Sequence, residues 1–258
     1  MTGRTIGKAG DAMTTTLRPA GPGRDGVYSI CANGRSVGGV HLTPLGPWGT
    51  GTGWILHIQV LPSRRRRGHG CVAMLAAEEI MRGRRCTRMA AAVPEGNRAA
   101  TGLVSALGYA PDSTRLVAPV RATGLPHGVR MMDTDEREAW CAAELHRCAA
   151  TLRAAGWPEP AARARAHARL DHPTAPAPYT LGDGAAVWVA HGVVLALTAR
   201  NPEAAATLLR AAGHVTATQG LPELAIDVPD EARTPELTKV LTGARFAPRT
   251  RYWGKPIL

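Results

Sequence analysis

The residues with the clearest chemical potential form a short basic run punctuated by glycines, Ser63 to Gly70 (SRRRRGHG). The run follows a strand-like segment that ends at Val60 and precedes a helix-like segment, 71–82, rich in Ala, Leu, Met and Glu. Glycine lets a backbone turn tightly and approach a ligand closely. A helix start leaves N–H groups unpaired and carries the positive end of the helix dipole. Strand, basic loop and helix together therefore predict a cradle for an anion such as a phosphate.

The spacing within this loop separates it from the common nucleotide-binding loops. A Walker loop needs G-x-x-x-x-G-K-[ST] and a Rossmann loop needs G-x-G-x-x-G, and this loop fits neither. Arg65-x-x-Gly68-x-Gly70 instead resembles the Q/R-x-x-G-x-G/A pyrophosphate loop of the GNAT acyl-CoA N-acyltransferases. Val60-x-Pro62 before the loop, and Asn97-x-x-Ala100 with Leu107-Gly108-Tyr109 after it, are also similar to segments of that family.

The resemblance implies a cofactor, a fold and a set of contacts. It implies acetyl-CoA as acyl donor, with CoA as product, and an α/β fold made of GNAT-like mixed-sheet units. Backbone N–H groups of the fourth strand of the family fold would hold the acetyl oxygen and the pantetheine. The residues that the resemblance assigns to the cofactor are Ile58, Gln59, Val60, Arg65, Arg66, Arg67, Gly68, His69, Gly70, Cys71 and Asn97.

Composition and charge limit the partners. A net charge of +11 is typical of nucleic-acid binders, yet the basic residues are dispersed apart from 64–67. They are not interleaved with base-stacking aromatics, so we expect no nucleic-acid partner. No apolar run is long enough to span a membrane, and the first 13 residues lack a secretory signal, so we expect a cytoplasmic protein. The five cysteines form no ligand pattern, which favours free thiols and no metal.

The sequence predicts two domains with the same order of secondary structure elements. We expect a disordered start over 1–13, an acetyl-CoA-binding GNAT domain over 14–122, a linker over 123–132 and a second GNAT-like domain over 133–258. In the first half the predicted strands are 27–31, 37–42, 54–60, 88–93 and 113–120, and the predicted helices are 71–82 and 97–107. In the second half the predicted helices are 133–155, 158–170, 202–212 and 234–244, and the predicted strands are 179–181, 185–190, 193–199, 223–228 and 249–253.

An internal repeat supports the two copies. Tyr109-Ala110-Pro111 recurs as Phe246-Ala247-Pro248, and Val-Pro precedes a helix upstream of each. The second copy has no glycine-rich loop, because Leu197 to Pro202 runs straight into the helix. We therefore expect it to bind no acyl-CoA and to help complete the acceptor pocket. The two helices that the family places between its first and second strands do not fit into 14–26, which would leave the acceptor side of the first unit open.

The sequence indicates the general base and the general acid less clearly than it indicates the cofactor loop. In relatives a Glu or His often lies four or six residues before the Val of the strand, positions that hold Leu56 and Trp54 here. His57 is the candidate catalytic base and His41 a second candidate, although both also suit a structural or surface role. In a regular strand His57 and Gln59 lie on the face opposite Leu56, and a β-bulge would re-aim them. Val104 occupies the position at which the family has a Tyr that acts as general acid.

Because the sequence shows no clear general base, it favours an acceptor amine with a low pKa. An α-amine has a pKa of about 7.8 and a lysine ε-amine about 10.4, so far more of the α-amine is free base at neutral pH. We therefore expect a small-molecule or peptide amine acceptor, with the N-terminal α-amine of a peptide-like natural product as the leading candidate. Aminoglycoside or other antibiotic acetylation, and a non-catalytic acyl-CoA-binding role, remain open alternatives. The sequence leaves the oligomeric state open.

Overall fold

The structure is a computed structural model that describes residues 4–5, 14–46, 51–170, 176–182 and 184–257. The chain divides into two compact units, and each has its own hydrophobic core. Of the predicted disordered start, residues 1–3 and 6–13 lie outside the described residues. Arg4–Thr5 form a short strand that pairs antiparallel with Thr14 and Thr15.

The first unit contains Met1–Gly46, Thr50–Pro111 and the C-terminal segment Tyr252–Leu258. Its strands are β1 (Arg4–Thr5), β2 (Thr14–Pro19), β3 (Val27–Ala32), β4 (Arg35–Thr43), β5 (Thr52–Val60) and β6 (Arg88–Pro94), and its helices are α1 (His69–Gly83) and α2 (Arg98–Ala106). Strand β7 (Ala110–Pro119) starts in this unit, and the last strand of the chain, β13 (Ala247–Pro256), ends in it.

The first sheet combines an antiparallel meander with one parallel pair. Strands β1 to β5 are antiparallel neighbours in chain order, and β5 pairs parallel with β6. Asn33 and Gly34 join β3 to β4 with φ values of +48° and +79°, as expected for the two-residue hairpin turn that Asn-Gly favours. Met74 and Met81 of α1 pack with Val104 of α2 against the sheet, so both helices cover one face of it.

The main difference from the sequence prediction lies at the start of this sheet. Strand β2, 14–19, is absent from the prediction because a run of threonines followed by Leu-Arg-Pro lacks an apolar alternation. Only turns connect β2 to β3 through residues 20–26. The expected absence of two helices at this point is therefore confirmed.

The second unit contains 112–251 among the described residues. Its helices are α3 (Thr134–Ala154), α4 (Glu159–Leu170), α5 (Pro202–Thr218) and α6 (Pro235–Gly243). Its further strands are β8 (Val129–Met131), β9 (Tyr179–Leu181), β10 (Ala186–Ala190), β11 (Val193–Thr198) and β12 (Glu223–Pro229). Neighbouring strands in the sheet follow the order β7-β12-β11-β10-β9-β8.

The second unit repeats the order of the first and adds the helical pair. Helices α3 and α4 lie in sequence between β8 and β9, where the first unit has only turns between β2 and β3. The N-terminus of α3 is fixed by a capping box, in which Asp133 and Glu136 each bond the other's backbone N–H. The parallel pair β11–β12 corresponds to β5–β6. The core consists of Leu208 and Leu209 of α5 packed on apolar residues of β10 to β12.

Two boundaries in the second unit differ from the prediction. The predicted linker, 123–132, contains strand β8, which pairs with β9 through Val129 and Leu181. Helix α5 continues through Gly213 to Thr218, although Gly213 was expected to end it. Val215 and Thr216 are buried, and their packing outweighs the cost of about 1 kcal/mol that an internal glycine imposes on a helix.

The internal repeat marks equivalent positions in the two units. Tyr109 and Phe246 each follow a helix through a residue with positive φ, Gly108 and Arg245 respectively, and each precedes a long strand. Both aromatic rings are buried in the core of their own unit. The chain therefore consists of two copies of one α/β mixed-sheet design. None of the described helices is long and apolar enough to cross a membrane.

Candidate functional site

Strand β5 carries a β-bulge at its centre. Its register against β4 pairs Leu42 with Ile55 and His41 with His57, so Leu56 is an extra residue with no opposite partner. A bulge of this kind shifts the side-chain alternation by one residue. The residue before the bulge, Ile55, is buried, whereas the Leu56 side chain is 48% exposed.

The bulge decides which face His57 occupies. Val40 and Leu42 both pack into the core under α1, so His41 and Thr43 lie on the other face of the sheet. Their cross-strand partners are His57 and Trp54, which therefore share that face. In a regular strand Trp54 and His57 would lie on opposite faces. The bulge thus places His57 on the face of Trp54, directly opposite His41.

The same bulge marks the point where β5 and β6 stop pairing. The parallel register runs from Thr52–Arg88 to Ile55–Ala91 and goes no further in the described part of the chain. Beyond it β5 keeps its β4 partner as far as Val60, which pairs with Gly38. Residues 56–60 of β5 therefore present a backbone edge that no strand occupies. This stretch includes Ile58, Gln59 and Val60, the residues expected to hold the acetyl and pantetheine groups.

Helix α1 begins beside this free edge with an uncapped N-terminus. Its N-cap is Gly68, which has no side chain to accept from the first amides, and the first described i→i−4 bond runs from Val72 N–H to Gly68 O. The N–H groups of His69, Gly70 and Cys71 therefore have no helical acceptor. These N–H groups and the helix dipole together favour an anion, and no acidic residue lies in the first turn to oppose it.

The two glycines of the loop serve different purposes. Gly68 adopts φ +80°, a left-handed conformation that costs other residues about 1–2 kcal/mol. Gly70 is helical, and a Cβ atom there would meet only Leu103, at 3.4 Å. Gly68 is therefore required by the backbone itself. At Gly70 the chain tolerates a small side chain, so its glycine is explained by close approach of a ligand rather than by packing.

One arginine of the loop stabilises its conformation, and three others give it an exposed positive charge. Arg65 Nε donates to the Val60 carbonyl at 3.0 Å and ties the loop to the end of β5. Arg66 adopts φ +63° at the centre of the turn. Arg64, Arg66 and Arg67 are exposed, so their guanidinium groups are available to a polyanion.

His69 departs from its expected contact with the cofactor. Its side chain is 2% exposed, and its Nδ1 lies 3.0 Å from Thr15 Oγ1 in the interior of the unit. Burial, with a smaller effect of Arg67 and Arg64, lowers the pKa of the imidazole below its usual value. His69 therefore contributes its backbone N–H to the anion site, while its neutral side chain anchors α1 to β2.

Asn97 and Tyr109 have structural roles in this unit. Asn97 is the N-cap of α2, and its Oδ1 accepts from Ala100 N–H at 3.1 Å. Tyr109 is buried, and burial with the neighbouring Glu78 raises the pKa of its phenol above its usual range. Glu78 of α1 forms an ion pair with Lys255 of β13 at 3.0 Å. This buried cluster joins β13 to α1, and no sequence pattern signals the contact.

The equivalent helix start in the second unit is closed. Helix α5 is capped by Asn201, whose Oδ1 accepts from Ala204 N–H at 2.8 Å. Its first residue, Pro202, has no N–H to offer, and Glu203 places a negative charge in the first turn. Cap, proline and carboxylate each oppose an anion. The prediction that the second unit lacks a phosphate loop is therefore confirmed.

Comparisons with known proteins agree with this geometry. Residues 10–109 match the family model described as Acetyltransferase (GNAT) family. The fold is similar to that of a GCN5-related N-acetyltransferase from Sphaerobacter thermophilus, with 15% identity, 90% of this chain and 80% of that chain covered, and a TM-score of 0.55. It is also similar to a glucosamine N-acetyltransferase region of a fungal multi-domain β-N-acetylglucosaminidase, with 14% identity, 89% and 33% covered, and a TM-score of 0.55.

A tandem GNAT protein from the clavulanic acid biosynthesis pathway is a further match, at 20% identity, with 90% and 82% covered and a TM-score of 0.47. No curated protein matches the sequence significantly. The family match covers the unit that carries the bulged strand and the uncapped helix. The structural likeness to the Sphaerobacter thermophilus protein extends over most of the chain.

Proposed function

We propose that this chain is an acetyl-CoA-dependent acyltransferase of the GNAT type, and that its acceptor is the N-terminal α-amine of a peptide-like natural product. The bulged strand and the uncapped helix of the first unit fit the donor. We propose that the phosphates bind the N–H groups of 69–71 and the exposed arginines, and that the free edge of β5 holds the acyl end.

When bound, acetyl-CoA supplies an acyl thioester, and the residues of this chain hold it and receive the amine. Those backbone N–H groups of 56–60 that point away from β4 can donate to an oxygen that becomes negative as the amine attacks. Their donation needs no particular side chain. His57 and His41 lie opposite each other on the bulged face, and His57 is exposed, so an entering amine can reach its imidazole. His57 is the candidate group to accept the proton that the amine loses.

The observation that carries the acceptor proposal is the charge of the first unit. The described carboxylates of this unit are Asp25, Glu78, Glu79 and Glu95, and arginines far outnumber them. Glu78 is buried in its ion pair with Lys255, so it offers no surface charge. Such a unit repels a polycation such as an aminoglycoside. A peptide-like α-amine carries a single positive charge at most and is largely neutral near pH 8.

The open side of the first unit supports an acceptor larger than a metabolite. Residues 20–26 form turns in place of two covering helices, and Leu56, His57 and Gln59 are exposed on the bulged strand. A peptide can lie along such a face. We also propose a cytoplasmic location, which the five free cysteines support because reducing compartments keep thiols unpaired.

A panel of amines tests the proposal. Thiol release from acetyl-CoA is followed with short peptides bearing free N-termini, with the same peptides N-blocked but carrying lysine, and with aminoglycosides. We expect the free N-termini to react fastest, and the rate to rise with pH towards the amine's own pKa and then level off. A preference for lysine side chains or aminoglycosides refutes the acceptor class.

The His57→Ala variant tests how much the protein contributes to proton removal. Since an α-amine is partly free base at neutral pH, we expect a loss in kcat well below the roughly hundredfold loss that follows removal of an essential base. Acetyl-CoA binding serves as the control for folding. A hundredfold or larger loss in a variant that still binds acetyl-CoA would make His57 an essential base.

A further inference from the structure

A cavity of about 190 Å³ lies in the second unit, and the proposed acetyl transfer does not use it. Helices α3 and α4 line one side of it and strands β11 and β12 line the other, and it is partly open to solvent. The parallel register of β11 and β12 includes Val193–Ala225 and Val194–Ile226. Leu197 and Val228, which line the cavity, lie beyond these pairs. The cavity therefore occupies the space that opens where the two strands separate.

The walls of this cavity are mainly aliphatic. Leu152 of α3, Leu197 of β11, Ile226 and Val228 of β12, and Leu237 of α6 contribute side chains to it. Apolar walls of this kind favour a ligand with a hydrocarbon body, because transfer of that body out of water is favourable. A volume of about 190 Å³ limits the body to a small molecule. The capped start of α5 excludes a pyrophosphate from the adjacent helix.

The charged groups around the cavity form ion pairs with one another, with a single exception in the described part of the chain. Arg147 holds the buried Glu144 at 2.6 Å, and Arg165 holds Asp112 at 2.7 Å. Asp227 is bound by Arg115 through two hydrogen bonds of 2.8 Å. Each pair contributes no net charge to the cavity. The first pair lies within α3, whereas the other two join α4 and β12 to Asp112 and Arg115 of β7.

The exception is Arg169 of α4. Its Nε donates to the Leu195 carbonyl, and its other guanidinium N–H groups have no acceptor among the described residues. Arg169 and Cys148 both line the cavity. A guanidinium held by its Nε keeps two further donors in a fixed plane, the arrangement that binds a carboxylate. The cavity thus combines aliphatic walls with one uncompensated positive charge.

We propose that the second unit binds a small monocarboxylate with an aliphatic body at this cavity, with Arg169 as the carboxylate ligand. The site is separate from acetyl-CoA binding and does not depend on the acceptor proposed for the first unit. The loss of the phosphate loop in the second unit then accompanies a change of ligand rather than a loss of binding.

The native chain tests this with three probes of equal length that differ only in the head group. Hexanoate, 1-hexanol and hexylammonium are titrated separately, and binding is followed by protein NMR shifts and calorimetry. We expect hexanoate to bind at least about tenfold more tightly than the other two. Equal binding of 1-hexanol would show an apolar cavity only, tighter binding of hexylammonium would show that the carboxylates dominate, and absence of saturable hexanoate binding would refute the site.

Two variants locate the binding. Leu152→Trp fills the cavity, and Ala142→Trp, on an exposed position of the same helix, is the matched control. We expect the first to abolish hexanoate binding and the second to leave it unchanged. Arg169→Gln should remove the preference for hexanoate over 1-hexanol while 1-hexanol still binds, whereas a merely structural role would weaken both equally. Acetyl-CoA titration of each variant reports separately on the first unit, so failure here is distinguishable from failure of the proposed transfer.

Discussion

The starts of helices α1 and α5 occupy equivalent positions in two copies of one fold, yet only one of them suits an anion. In the first unit a left-handed Gly68 leaves three N–H groups free and four arginines precede them. In the second unit the Asn201 side chain accepts a hydrogen bond from one N–H group of the first turn. Pro202 has no N–H group, and Glu203 adds a negative charge. The comparison shows that a helix dipole alone does not make an anion site. The residues at the N-cap and in the first turn decide whether its donors are available.

The two units also differ in what covers their sheets. The helical pair α3 and α4 is present only in the second unit, and its arginines and aliphatic side chains line a cavity where β11 and β12 separate. In the first unit turns replace that pair, and the bulged part of β5 is exposed. The helical pair therefore gives the second unit a lined pocket at a place where the first unit has an exposed strand.

The largest expected effect comes from a charge at the start of α1. Gly70→Glu adds bulk and a negative charge beside the free N–H groups, and both oppose a pyrophosphate. We expect acetyl-CoA affinity, measured by calorimetry, to fall at least tenfold, or about 1.4 kcal/mol. Gly102→Glu, at an exposed position of α2 with no neighbour within 4 Å, is the matched control and should bind normally. Unchanged affinity in folded Gly70→Glu protein would place the phosphates elsewhere.

A second variant separates backbone strain from ligand contact. Gly68→Ala places a Cβ atom in open space, but at φ +80°. We therefore expect a loss in unfolding free energy of about 1–2 kcal/mol, measured with denaturant. Gly102→Ala, the same change within a helix, should instead stabilise by up to about 1 kcal/mol. A Gly68→Ala protein as stable as the native chain would mean that the loop does not need its left-handed residue.

The capping asparagines test the closed helix start. Asn201→Ala and Asn97→Ala each remove one N-cap hydrogen bond, of 2.8 and 3.1 Å respectively, and each should cost about 1 kcal/mol of stability. Because we expect the capped start of α5 to bind no phosphate, acetyl-CoA affinity should not change in the first variant. A fall in affinity in Asn201→Ala protein would show that α5 takes part in cofactor binding.

The smallest expected effect is a pH dependence from His69. Its pKa is lowered in the folded chain, so the unfolded chain takes up a proton first as the pH falls. The stability that the neutral imidazole contributes is complete above about pH 6.5 and decreases as the pH falls below it. His69→Asn should therefore show a smaller decrease in melting temperature between pH 7.5 and 5.5 than the native chain. An equal or larger decrease would contradict the burial of a neutral imidazole.

Much of this organisation follows from local sequence signals. The strand, glycine loop and helix around Gly68, and the repeat of Tyr109 in Phe246, depend on neighbouring residues and could be predicted. The bulge at Leu56 and the burial of His69 could not, because they arise from pairing with β4 and β2, segments distant in sequence. The ion pair of Glu78 with Lys255 joins residues 177 positions apart, and no periodicity signals it. The face of the sheet on which His57 lies is therefore set by the register of β5 against β4, which the sequence alone does not define.

The central claim is that one of the two equivalent helix starts binds acetyl-CoA and the other does not. Calorimetric titration of the whole chain with acetyl-CoA tests it most directly, because the two starts lie in the same molecule. We predict a stoichiometry of one per chain, which Gly70→Glu abolishes or weakens at least about tenfold. A stoichiometry of two, or a single site that survives Gly70→Glu unchanged, would contradict the account.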